Sequence, residues 1–130
     1  MRVGGVKWDA PEGWIEKVRQ FVPYMREQLK GYHDLVTGNE IFMNRIIGVG
    51  KYSKEEAVNY SLSGANLRST GIKYDLRKQE PYSIYHRFDF DIPIREEGDA
   101  WARYHCRIEE IEESLKIIEQ AVDQFPSDGP

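Results

Sequence analysis

The sequence predicts a mainly α fold with a minor β element, in which a kinked helix and a long C-terminal helix pack around an irregular, glycine-rich middle. Three observations predict it. Apolar residues recur at helical spacing near both ends of the chain, glycines and polar residues fill the middle, and one stretch at 88–94 alternates like a strand. We expect residues 1–126 to form a single domain, or a fragment of a larger one, with 127–130 as a tail, since a chain of 130 residues can bury one core.

The first predicted helix spans 11–36. Its apolar residues follow the helical period: Trp14, Val18, Phe21, Met25, Leu29, Tyr32 and Val36. Pro11 suits the first turn of a helix, whereas Pro23 removes a backbone hydrogen bond from the helix interior. We therefore expect either a kink near Pro23 or two helices in line.

Two short helices are predicted between 39 and 60. Asn39 is suited to cap the first, which would run through Arg45. Ser53 and Glu56 form a capping box for the second, because the Ser53 side chain can accept from an early backbone amide while Glu56 reaches back. The second helix would have about two turns.

The last predicted helix, at about 100–125, has Asp99 as its N-cap. Its apolar residues recur three and four apart: Trp101, Tyr104, Ile108, Ile111, Leu115, Ile118, Val122 and Phe125. Such a stripe packs along another helix. Before it, the alternation in 88–94 favours a short strand, but Pro93 restricts this to an edge strand or an irregular extended segment.

The segment 63–78, called the basic block below, is the most unusual part of the chain. It carries four cations against one acid, Asp75, although the whole chain has a net charge of −4. Its composition predicts that it builds no core and forms either a solvated loop or a surface for a partner. Arg68 and Arg77 could anchor a neighbouring subunit or tune the field around its cofactor. We rank first the structural alternative, in which they pair with the chain's own acids, such as Asp75, Asp89 or Asp91.

Several classes of site are disfavoured. The acidic balance argues against nucleic acid as a partner. The three histidines, His33, His86 and His105, lack metal-ligand spacing, and the single Cys106 allows neither an intrachain disulfide nor a cysteine metal site, so a small buried cysteine is expected. Gly48-Val-Gly50 is too short for a dinucleotide fingerprint.

The sequence also predicts where the chain is located and whether the acidic face of its last helix is exposed to solvent. The chain has no signal-peptide pattern and no apolar run near the ~20 residues of a membrane span. We therefore expect a cytosolic chain that reaches a membrane only through partners. Residues 107–124 hold six acids and two bases, and we expect this acidic face to be solvated.

Five motifs, in one order along nearly the whole chain, carry a family resemblance. They are Arg-Val-Gly-Gly-Val at 2–6, Asn-Arg-x-x-Gly-Val-Gly at 44–50, the basic block, the tyrosines Tyr82 and Tyr85, and Phe-Asp-x-Asp-Ile-Pro at 88–93. With them the chain resembles the D subunit family of bacterial NADH-quinone oxidoreductase, respiratory complex I, whose members are similar to the hydrogenase large subunit.

The resemblance implies a function and a place. The family's complex passes electrons from NADH through FMN and iron–sulfur clusters to quinone and couples this to ion translocation. The D subunit lies in the peripheral arm, at the cytoplasmic face of the cell membrane, and forms the quinone cavity with the small iron–sulfur subunit. The family's quinone ligands, a histidine and a tyrosine, precede its Arg-x-Gly-Gly motif. The chain therefore resembles an interior fragment that binds no cofactor, supplies no catalytic residue and is inactive when isolated.

The resemblance also implies roles for individual residues. The expected subunit-interface or cofactor-field residues are Arg45, Arg68, Asp75, Arg77 and Lys78. The expected structural loop residues are Gly48, Gly50, Ser63, Gly64 and Gly71. Two alternatives stay open: a non-catalytic scaffold module that contacts the cluster-bearing small subunit, or a subunit of a related hydrogenase-like membrane complex. A true [NiFe]-hydrogenase large subunit is rejected, because it needs two CxxC pairs and the chain has one cysteine.

Overall fold

The computed structural model describes residues 3 and 5–126, and within them the chain is mainly helical, as predicted. Six α-helices follow in order: α1 (Trp14–Tyr32), α2 (Glu40–Ile46), α3 (Lys54–Asn59), α4 (Gly64–Arg68), α5 (Leu76–Gln79) and α6 (Ala100–Asp123). A π-helical turn, His33–Thr37, follows α1, and a 3-10 turn, Tyr85–Arg87, precedes the approach to α6. The predicted tail at 127–130 and part of the motif at 2–6 lie outside the described residues.

The core lies between α1 and α6, which run antiparallel. Trp14 at the start of α1 meets Phe125 just after α6, with 6.4 Å between ring centroids. At the other end, the Thr37 hydroxyl lies 2.9 Å from the Tyr104 hydroxyl. Between these ends the buried core consists of Val22, Leu29 and Leu115, with Met25, Ile111 and Ile118 packed against it. Each fully buried side chain of this kind contributes roughly 1.5–3 kcal/mol, so the predicted stripe on α6 supplies much of the stability.

An arginine clamp fixes the register of the two helices. Arg26 on α1 donates from Nη1 and Nη2 to Glu119 over 2.7 and 2.8 Å, and from Nε to Glu112 over 2.9 Å. The hydrogen bond to Glu119 is the largest cause of the raised pKa of Arg26. Because all three side chains are about one-third exposed or more, water screens the pairs and their energetic contribution is modest.

The predicted helix ends agree well with the structure. Asn39 accepts a hydrogen bond from the Phe42 amide over 3.1 Å, the Ser53–Glu56 capping box is formed, and Asp99 caps α6, so three predicted caps are confirmed. Helix α1 continues through Pro23, so the alternative of two helices in line is wrong, while a kink at this residue stays a prediction.

The stretch 88–94 forms neither a helix nor a paired strand in the described part of the chain. Of the two predicted alternatives, the irregular segment is therefore confirmed, whereas the edge strand, and with it the minor β element, is not found there. Its alternation does hold, since Phe88, Phe90 and Ile92 are buried. Side chains of α6 take the place of a partner strand. The Asp89 amide donates to Gln120 over 2.8 Å, and the Asp91 amide donates to Glu113 over 2.7 Å. These backbone donors are satisfied without a sheet.

Candidate functional site

The basic block is folded into the protein, so the prediction that it builds no core is wrong. Six of its residues are buried: Ala65, Leu67, Arg68, Ser69, Thr70 and Asp75. Helix α4 packs against α6, and its buried residues are Ala65, Leu67 and Arg68. The burial is possible because the charges that enter the interior meet opposite charges there.

Arg68 is the centre of this cluster, with only 8% of its side chain exposed. Its Nε donates to Glu110 on α6 over 2.8 Å, and its Nη2 donates to the same carboxylate. Its Nη1 donates to the Tyr74 carbonyl over 3.0 Å and lies 3.7 Å from Asp75. The predicted pairing of Arg68 with the chain's own acids is confirmed for Asp75, and the guanidinium is buried among these partners.

Asp75 joins the second arginine of the block to this cluster. Its Oδ1 accepts from the amide and Nε of Arg77 over 2.9 and 3.0 Å, and its Oδ2 accepts from Nη2 over 2.6 Å. Burial would raise the pKa of Asp75, but the Arg77 hydrogen bonds and the charges of Arg77 and Arg68 outweigh it, so this pKa lies below its usual range. The hydrogen bond to Asp75 raises the pKa of Arg77. Both groups stay charged at neutral pH, which suits a structural ion pair and not proton transfer.

Aromatic rings pack against this pair. The Arg77 guanidinium carbon lies 4.9 Å from the Phe90 ring centroid, and Lys78 Nζ lies 4.2 Å from the same centroid. Tyr82 and Tyr85 pack edge to face, 5.0 Å between centroids. An open pocket of about 430 Å³ adjoins them and is lined by Ser63, Gly64, Arg68, Tyr74, Asp75, Leu76, Arg77 and Tyr82. Since its charged residues are already paired, the pocket offers tyrosine edges more than free charge.

A backbone junction ties the block to the start of α6. The Gly98 amide donates to the Ser69 carbonyl over 2.8 Å, and the Gly98 carbonyl accepts from the Tyr52 amide over 3.2 Å. Gly98 has φ +68°, and a Cβ placed there would overlap the Tyr52 carbonyl oxygen, so only glycine fits. The importance of this glycine could not be found from the sequence, because the requirement comes from a contact with a distant segment.

Asp99 extends the junction to the Gly48-Val-Gly50 motif. One carboxylate oxygen accepts from the Gly48 amide over 2.7 Å, and the other accepts from the Ala102 amide over 2.8 Å. Burial would raise the pKa of Asp99, but these backbone hydrogen bonds lower it below its usual range. Arg103 closes the motif from outside, because its Nη2 donates to the Gly50 carbonyl over 3.1 Å.

The acidic face of the last helix is not simply solvated, which corrects the expectation for 107–124. Its six acids all form ion pairs: Glu109 with Arg95, Glu110 with Arg68, Glu112 and Glu119 with Arg26, Glu113 with Lys116, and Asp123 with Arg19. Helix α6 is the central helix of the chain, so other elements bring cations to it. The sequence alone could not select Glu110 as the partner of Arg68, because every acid of this helix offered the same charge.

The predicted site residues fall into two groups in space. Arg68, Asp75 and Arg77 form one cluster with Lys78 at its edge. Arg45 lies apart from them, exposed on α2. Four of the predicted loop glycines, Gly48, Gly50, Gly64 and Gly71, have positive φ, and Ser63 precedes α4 as its N-cap residue without a side-chain capping bond. Their roles at a subunit interface stay predictions.

The histidines and the cysteine form no reactive centre. Within residues 3 and 5–126, no three metal-ligating side chains are grouped so as to hold an ion. His105 packs against Trp101, 4.1 Å between centroids, and burial lowers its pKa. Cys106 is fully buried, as predicted, and burial raises its pKa to about 11. Across the described part of the chain, no helix combines the length and hydropathy needed to cross a bilayer.

Comparison with known proteins finds one family along the whole chain. The family model described as "Respiratory-chain NADH dehydrogenase, 49 Kd subunit" matches residues 1–130. The D subunit of NADH-quinone oxidoreductase from Geobacillus thermodenitrificans is 75% identical over 130 residues, which is all of this chain and 36% of that protein. The D subunit from Bacillus mycoides is 78% identical over 129 residues, 99% of this chain and 35% of that protein. The chain thus spans about one third of the length of these relatives, and it belongs to the family of the 49 Kd subunit of respiratory-chain NADH dehydrogenase.

Proposed function

We propose that the chain is part of the quinone-reducing D subunit of an NADH-quinone oxidoreductase, which passes electrons from NADH through FMN and iron–sulfur clusters to quinone and couples this to ion translocation. The observation that carries the proposal is the identity of about 75% to D subunits of such complexes over the whole chain. The complex would hold the chain at the cytoplasmic face of the cell membrane, beside the small iron–sulfur subunit.

Within that complex the chain's own residues act as scaffold. A single cysteine is too few for an iron–sulfur cluster, which is held by several thiolates, so this stretch does not hold a cluster by itself. The cluster around Arg68 and the junction at Asp99 hold the basic block and the glycine motif at 48–50 against α6. These contacts fix the backbone of this stretch, and we expect the isolated chain not to reduce quinone.

A chimera tests this function. In a strain that depends on this enzyme complex, the segment of the Bacillus mycoides D-subunit gene that matches this chain is replaced by the DNA that encodes the chain. NADH–quinone reductase activity is then measured in isolated membranes. We expect activity like that of the parent strain, and no quinone reduction by the purified 130 residues. An assembled chimeric complex without activity would contradict the proposal, as would quinone reduction by the isolated chain.

A second candidate is a non-catalytic module that contacts the cluster-bearing small subunit, favoured by the exposed cations Arg45 and Lys78. Charge reversal at Arg68 or Arg77 is a poor test of it, because both hold the chain's own acids and their loss would weaken the fold. Lys78→Glu is the better variant, since this ammonium touches only an aromatic face among the contacts described. Unchanged co-purification of the small subunit with Lys78→Glu would argue against contact at this edge.

A further inference from the structure

We draw no further inference here: the strongest candidate, the apolar groove between the start of α1 and the end of α6 at Trp14, Phe21 and Phe125, carries nothing because nothing in the structure shows what covers it, since the part of the relatives' length that lies outside this chain could do so as well as another subunit could.

Discussion

Replacing Arg68 by Met should destabilise the protein strongly. The arginine makes two hydrogen bonds to Glu110 and one to the Tyr74 carbonyl from a side chain that is only 8% exposed. Removing one member of a buried ion pair costs about 3–5 kcal/mol, because the other charge is left without a partner. Glu110 is 22% exposed and can be partly rehydrated, so we expect the lower end, about 3 kcal/mol.

A double-mutant cycle separates the ion pair from lost packing. Since Arg68→Met with Glu110→Leu removes both charges, the double variant should recover about 2 kcal/mol relative to the sum of the single ones. Lys73→Met is the control, because Lys73 is an exposed cation of the same block without a described ion pair, and it should cost under about 0.5 kcal/mol. The free energy of unfolding is measured by urea titration of the subunit that carries the chain. If Arg68→Met cost no more than Lys73→Met, or if the effects of Arg68 and Glu110 were additive, the internal pairing would be refuted.

Three further results are expected. Gly98→Ala should lower the free energy of unfolding by about 2 kcal/mol or more, because an alanine there is strained by the positive φ and clashes with Tyr52. Gly64→Ala is the control: it has open space around its Cβ, so it should cost only the conformational strain of about 1 kcal/mol. Equal costs in thermal unfolding would refute the contact between Gly98 and Tyr52. Cys106 should react with iodoacetamide at pH 8 about 100-fold more slowly in the folded than in the denatured protein, because a pKa of about 11 leaves far less thiolate than the usual 9. Equal rates in the two states would refute the burial of Cys106. The pKa of Asp75 is lower in the folded than in the unfolded state, so the carboxylate stabilises the fold fully above roughly pH 4–5 and loses this effect as the pH falls through the folded pKa. Asp75→Asn should therefore flatten the decline of stability in acid unfolding curves. An unchanged slope would contradict this.

The parts of the fold that could be predicted depend on local chemistry. Asn39, Ser53 and Asp99 each bond to an amide three residues on, so the sequence contains the whole interaction. The apolar period of α6 is equally local. The partner of Arg68 lies 42 residues away on a helix with six acids, and no local rule selects Glu110 from among them. Long-range pairing of this kind needs the packed structure.

The basic block shows why composition misled the prediction of burial. Four cations and several polar side chains indicate solvent exposure when each residue is considered alone. A buried cation is tolerated when a carboxylate and a carbonyl meet its donors, as Glu110 and the Tyr74 carbonyl do for Arg68. If the arginines pair with the chain's own acids, the basic block can enter the interior. This predicted pairing therefore conflicts with the prediction that the block lies outside the core.

The charge pattern of the whole chain follows from the position of α6. The excess of acids lies on this one helix, and cations converge on it from α1 through Arg26, from α4 through Arg68 and from the segment before α6 through Arg95. The acidity of the helix therefore orders the chain's own elements around it and leaves little unpaired charge there for partners. Apolar surface stays exposed elsewhere, for example at Ile41 on α2, beside Arg45, which forms no ion pair with the described residues. If the proposed complex forms, its other subunits should contact this chain where its charges are not already paired, because a paired arginine must break one salt bridge before it can form another.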